Sequence, residues 1–371
     1  MRFDLYDHTI LLTISGSRAY GMHRAGSDVD VLGVAVPPER TLLGLSRPWQ
    51  QADHPDQIAV FHDLLTDQER AACAKTKLEG SVYTLSKLVK LAADCNPNVL
   101  DVLFCRDAEV RLITPLGQRL RDARDLFLSA RARHAYAGYA AAQLKRIRGH
   151  RAWLLDPPKG APTRADFDLP EHSLVPREHL LAAQAAVQKQ VDRWEIDYGT
   201  LPSSQVVALQ TRIAQVLSEQ GLGQDELWAS AARWVGLDDN LIQAMQRERG
   251  YQAARRHWKQ YRSWLTNRNP DRAALETRHG YDTKHAAHLI RLLRMGREIL
   301  STGRVNVWRD DADELLAIRA GAWTYDQLIE HAEAERAALN GLDPADAAVP
   351  AKVDLDALDD LLVDLLRTAL R

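Results

Sequence analysis

The sequence predicts an α+β protein, with a small unit on a mixed sheet at the N-terminal end and a larger all-helical region after it. Three observations carry that prediction. Two apolar runs, 9–15 (TILLTIS) and 28–36, lie either side of a Gly-Ser turn and read as strands. From about residue 125 that pattern gives way to helix-length segments rich in alanine and leucine. A chain of 371 residues is also long enough for two domains, or for one domain with a large elaboration. We expect a sheet unit over 1–124, a helical domain over 125–340, and a linker with a C-terminal docking helix over 341–371.

The bulk properties exclude several classes. With 48 Lys+Arg against 50 Asp+Glu, no global field advertises a nucleic-acid partner, so any basic surface is local. Cys73, Cys95 and Cys105 make neither a C-x-x-C pair nor an even disulfide framework, which points to free thiols in a reducing cytoplasm. The apolar run Ile10-Leu11-Leu12 is too short for a signal segment or a membrane span, so a cytoplasmic, unanchored protein is expected. Histidines are scattered without zinc-ligand spacing, and no structural zinc is expected.

The run 9–15 reads as a buried strand that stops at Gly16. A strand feeding Gly16-Ser17 and a short helix (17–23) points backbone N–H groups at whatever sits above the turn, and an anion is the natural occupant. Gly26 and Ser27 then turn the chain into the strand 28–36. Asp28 and Asp30, two apart, point to one face, and Val29 and Val31 to the other. Carboxylates held side by side repel unless a cation or a proton lies between them, and hard oxygen donors suit Mg²⁺. Taken alone, Asp-x-Asp fits turn chemistry with a solvated Asp30 as well. The Gly-Ser turn upstream and the apolar strand around the aspartates favour the metal.

Gly16-Ser17-x-x-x-Gly21 followed by Ser27-Asp28-x-Asp30 resembles the signature of the DNA polymerase β-like nucleotidyltransferase superfamily. The resemblance implies a Gly-Ser turn that holds the NTP β/γ-phosphates, with Arg18 beside it. It also implies two Mg²⁺ ions, with Mn²⁺ as a substitute, bound by Asp28, Asp30 and a third carboxylate from a later strand. The stretch 37–55, rich in Pro and Gly, reads as a loop or hairpin insertion, and 57–62 as a strand. The run 77–84 reads as another strand. It carries Glu79, which we prefer as the third carboxylate over Asp63 and Asp67 in the polar stretch before it. A helix at 86–94 is followed by Asn96-Pro97-Asn98, where helix capping is the simpler reading and a sugar or base contact the other. That Asn-Pro-Asn after Leu-Ser-Lys-Leu also resembles a narrower group, the RlaP-like nucleotidyltransferases encoded beside bacterial RNA-repair ligases.

Further helices are expected at 129–147, 176–195, 204–219 and 238–266. The Pro-rich stretch 156–164 fits either a flexible linker or an ordered loop. In the helix 238–266 and just beyond it, arginines and lysines alternate with Tyr251, Trp258, Tyr261 and Trp264. Arg255, Lys259 and Arg268 are the candidate acceptor contacts there. An amphipathic helix with its aromatic rings packed inward accounts for the same pattern. Over 280–293, Asp282 or Thr283 makes an N-cap, and Lys284, His288 and Arg291 share one helix face. This stretch too is similar to RlaP-like enzymes, which implies that Lys284 reaches the triphosphate, with His288 and Arg291 on the same NTP-binding face. Segments 298–308 and 312–335 continue the helical pattern, and 355–369 reads as the docking helix.

The expected function is therefore Mg²⁺-dependent transfer of an NMP from an NTP to an acceptor hydroxyl, with release of pyrophosphate. The resemblance points to an RNA or tRNA end as acceptor, and no membrane is involved. The alternatives are AMPylation of a partner protein, as in toxin–antitoxin pairs, or of a small molecule such as an aminoglycoside. Further away stand a non-catalytic RNA-binding protein on this fold and a helical nuclease suggested by the Arg272-x₆-His279 spacing.

Overall fold

Five strands form one mixed sheet in the order β3-β4-β2-β1-β5. It is seen in a computed structural model that describes residues 3–24, 26–44, 49–74, 78–172 and 239–371, with isolated positions between 178 and 237. The chain enters through β1 (Thr9–Ser15), makes the one-turn helix α1 (Gly16–Ala19), and returns antiparallel as β2 (Val29–Ala35). A crossover then carries α2 (Glu39–Leu43), the two-residue strand β3 (Gln51–Ala52), α3 (Pro55–Ile58) and α4 (Asp67–Cys73). It delivers β4 (Leu78–Thr84) parallel to β2. After α5 (Leu85–Ala93) and α6 (Pro97–Phe104), β5 (Val110–Ile113) closes the other edge beside β1.

Each face of the sheet has its own apolar cluster, as strand alternation requires. Leu12, Ile14, Val29, Val31 and Val82 pack with Ile58 and Phe61 on one face. Leu11 and Val34 face the larger cluster, formed with α5, α6 and the later helices. Asp30 and Glu79 have the parity of this second face. The later helices are α7 (Pro115–Asp122), α8 (Ala132–Leu155), α9 (Asp239–Asn267), α10 (Pro270–His279), α11 (Thr283–Thr302), α12 (Ala312–Arg319), α13 (Tyr325–Gly341) and α14 (Leu355–Ala369). Helix α11 lies against α8, α12 and α13, and α14 against α5 and α7.

Two compact units result: Met1–Leu155 together with Asn269–Arg371, and Asp156–Arg268. The unit boundaries therefore fall at 155/156 and 268/269, not at the expected 124/125 and 340/341. The reason is packing. Apolar residues of α8 and of 281–365 share one continuous core with α5 and α6. In the second unit the Pro-rich stretch leads to Arg164, whose guanidinium pairs with Glu248 of α9 at 2.9 Å and lies over the Tyr251 ring.

Several local expectations change. The strand expected at 57–62 is instead α3 followed by a 3-10 turn (Ala59–Leu64). His54 caps it in a reciprocal box with Gln57, Pro55 takes the first helical position, and the buried Ile58 and Phe61 stand at helical spacing. Part of the stretch expected as loop forms α2 and β3. The helix expected at 298–308 stops at Thr302, where Gly303 takes a left-handed conformation, and Val305 and Val307 pack into the core from a loop. Asn96 caps α6, accepting from the Asn98 N–H at 3.1 Å. The helices expected at 176–195 and 204–219 lie outside the described residues.

Candidate active site

The parallel register of β2 and β4 sets Asp30 directly opposite Glu79, and the antiparallel register of β1 and β2 sets Ser15 opposite Asp30. Directly paired residues point to the same face, so one row across three strands brings two carboxylates together where β1 ends and β2 and β4 begin. Asp28, one residue ahead of β2, is exposed on the same side, as is Glu79, while Asp30 is half-buried. Gly16 follows Ser15 with φ +63°, and a Cβ there would collide with the Asp30 carboxylate. A glycine is thus required twice over, by backbone conformation and by close approach.

Several charges act on the Asp30 carboxyl at once. Burial, and then the negative charge of Asp28, push the Asp30 carboxyl up to about 6. Lys284 pulls it back, Glu79 adds to the rise, and Arg18 lowers it. Side chains from the Gly-Ser turn, β2, β4 and the first turn of α11 therefore share one field. Three carboxylates with too little compensating charge, all hard oxygen donors, fit a divalent cation such as Mg²⁺. Lys284 is exposed, yet burial of its surroundings lowers its ammonium pKa. Arg272 and Arg319 act the same way, and Asp30 and Asp28 oppose them.

The other two residues of the α11 face lie deeper. His288 is held well below its ordinary value by burial and then by Arg291, His285, Lys284 and Arg146, so its imidazole is neutral. Arg291 is 2% exposed. Its guanidinium lies 3.7 Å over the ring of Tyr20 and donates to the sulfur of Met295 at 3.0 Å. The Tyr20 hydroxyl in turn donates to buried Asp101 at 2.5 Å. Lys284 is thus the member of the expected trio whose charge acts on Asp30, and Arg291 supports the residue that follows α1. Arg255, Lys259 and Arg268 belong to the other compact unit. On α9, Arg255 and Lys259 are exposed, and Arg268 lies 4.3 Å over the Trp264 ring.

Residues 5–153 match the RlaP family, an RNA repair pathway DNA polymerase beta family. The match points to a polymerase β-like nucleotidyltransferase. The matched segment runs from before β1 into α8, so it holds Gly16, Ser17, Asp28, Asp30 and Glu79 and stops short of Lys284. No curated protein matches the chain, and no solved structure matches it.

Sequence reasoning missed the cations that join Lys284 near Asp28 and Asp30. Arg24, Arg272 and Arg319 are drawn together only by the fold, and no spacing in the chain announces them. It also missed that His150, Asp282 and His285, more than a hundred residues apart in part, place their ligand atoms within 4.8 Å of one another. That carboxylate is already engaged. Asp282 Oδ2 accepts from His150 at 3.0 Å and pairs with Arg272, whose charge opposes a cation at the same place.

Proposed function

We propose that the protein transfers an NMP group from an NTP to an acceptor hydroxyl and releases pyrophosphate, with an RNA end, tRNA included, as the acceptor. The β2–β4 register that pairs Asp30 with Glu79, beside Asp28 and against Gly16, carries this reading. Two Mg²⁺ ions, or Mn²⁺ in their place, held by Asp28, Asp30 and Glu79 would supply Lewis-acid stabilisation of the phosphoryl oxygens. Gly16 and Ser17 bind the β/γ-phosphates through N–H groups that α1 leaves without helical partners. Arg18 on the turn and Lys284 on α11 offset the charge that builds on the leaving pyrophosphate. A carboxylate oxygen of the Asp30–Glu79 pair takes the proton of the acceptor hydroxyl. Its oxygen attacks the α-phosphorus in line as the bond to the β-phosphate bridge breaks. His288 and Arg291 stand behind this layer and hold it in place.

RNA as the acceptor is supported by the RNA-repair description of the RlaP family and by the exposed Arg255 and Lys259 of α9, with Arg268 at its end. The test is incubation with each α-labelled NTP, Mg²⁺, and a panel of RNA, protein and small-molecule acceptors. Label in RNA is the expected outcome. Label confined to protein or to a small molecule would replace the acceptor and keep the chemistry. No transfer to any acceptor would leave a non-catalytic RNA-binding protein as the reading.

A further inference from the structure

Arg24, in the connection from α1 to β2, donates through Nη2 to the Leu316 carbonyl of α12 at 2.8 Å. Arg319, at the end of α12, donates back through Nη1 to the Met22 carbonyl at 3.4 Å. These reciprocal bonds lay the two pieces of chain side by side and put the Arg319 guanidinium in the field of both Arg24 and Asp28. Lys284, in the first turn of α11, shares the field of Arg319, Asp30 and Asp28. A fourth cation, Arg272, is neutralised by Asp282 and Glu276. Among the described residues, Arg24, Lys284 and Arg319 form no ion pair with a carboxylate.

Like charges held together without a direct ion pair repel one another, and an anion placed between them relieves the repulsion. The repulsion shows in the direction of titration. Burial, then Arg24 and Arg272, lower the Arg319 pKa, and Asp28 opposes them. Lys284 is lowered by burial and then by Arg272 and Arg319. Two guanidinium forks and an ammonium match the oxygens of phosphate groups. Arg18 and Lys284 both act on Asp30, and Arg319 acts on Asp28.

We propose that Arg24, Lys284 and Arg319 form a phosphate-binding site beside Asp28 that takes the polyphosphate tail of the NTP. Two of its three groups come from the chain beyond the RlaP match. The nucleotide site is therefore completed by α11 and α12, which lie more than a hundred residues downstream of that match. The identity of the ligand rests on the nucleotidyl-transfer reading, but the existence of the site is read without any transfer.

The experiment measures binding of inorganic tripolyphosphate by the full chain in EDTA, where the carboxylates contribute no metal bridge. Arg24→Gln and Arg319→Gln should each weaken binding about tenfold, the scale of one lost charge-assisted hydrogen bond. Arg319→Lys should weaken binding less than Arg319→Gln, because it keeps the charge while losing the fork, and so covers the case in which Arg319→Gln fails to fold. Arg304→Gln, an exposed arginine after α11, should leave binding unchanged. Unaltered tripolyphosphate affinity in Arg24→Gln and Arg319→Gln would overturn the proposal, as would no binding by the unaltered protein. Loss of affinity only for a 5′-phosphorylated oligoribonucleotide would also overturn it, by giving the site to the acceptor. Transfer that survives Asp30→Asn would instead contradict the nucleotidyl-transfer reading and leave this site standing.

Discussion

Asp282 illustrates how much one side chain does at the start of α11. Its Oδ1 accepts from the His285 N–H at 3.1 Å and caps the helix, and its Oδ2 takes His150 and Arg272. Burial pushes this carboxyl up, but the His150 hydrogen bond, His285 and Arg272 outweigh it and hold it well below the usual carboxylate range. Burial pushes the neighbouring His285 down to about 4, against the pull of Asp282. Both shifts act in the same direction. A histidine whose folded pKa lies below its unfolded value binds fewer protons folded than unfolded between the two values. Stability then falls as pH drops from about 6.5 to 4, by at most about 3 kcal/mol for His285. The depressed Asp282 adds a further loss below about pH 4. Thermal midpoints across pH 4–7 should show this slope, and His285→Gln should flatten the part above pH 4. At Lys284, substitution by Ala should raise the KM for NTP about tenfold and leave acceptor binding in place, which steady-state kinetics with each substrate varied will read. A defect confined to the acceptor would remove Lys284 from the phosphate side.

Helix α11 is the element that ties the sheet unit to the C-terminal helices. Its face of Ala286, Leu289, Ile290 and Leu293 was legible as an amphipathic pattern, and Asp282 as its cap, because both signals are local. What the pattern could not show was depth: which of Lys284, His288 and Arg291 meets solvent depends on how far α11 sinks against α8. Gly296 sets that distance, since a Cβ there would come within 2.8 Å of the Tyr136 Cβ on α8. Gly296→Ala should therefore force the two helices apart and cost about 1–3 kcal/mol, read as a lower denaturant midpoint at unchanged slope. The strand mistaken at 57–62 shows the opposite case. Its capping box and helical spacing were present in the residues, but a short apolar run fits both periods, and the box decided it.

At the scale of the molecule, one site is assembled from two distant pieces of chain. The first piece is readable from the sequence motif, because Gly16, Asp28 and Asp30 are close in the chain, and it lies within the residues that match RlaP. Glu79 needed a strand assignment, and the register of β4 against β2 places it opposite Asp30. Arg272 and Arg319 were not readable at all, since only long-range packing of 269–371 on the sheet unit brings them to the region of Arg24, Asp28 and Lys284. The same packing explains why the expected boundary at 124 is not a boundary of the compact units: the core runs through it. Asp30 sits at the centre of this assembly, with its carboxyl raised to about 6 by burial and by Asp28, so its ionised form destabilises the metal-free fold near neutral pH. The most direct measurement is transfer from α-labelled NTP by Asp30→Asn beside the unaltered chain, with the metal-free melting temperature of each. Transfer should disappear while the melting temperature is held or rises, because a needed charge is removed from a place where it is costly. Transfer at the unaltered rate by a folded Asp30→Asn variant would contradict the account.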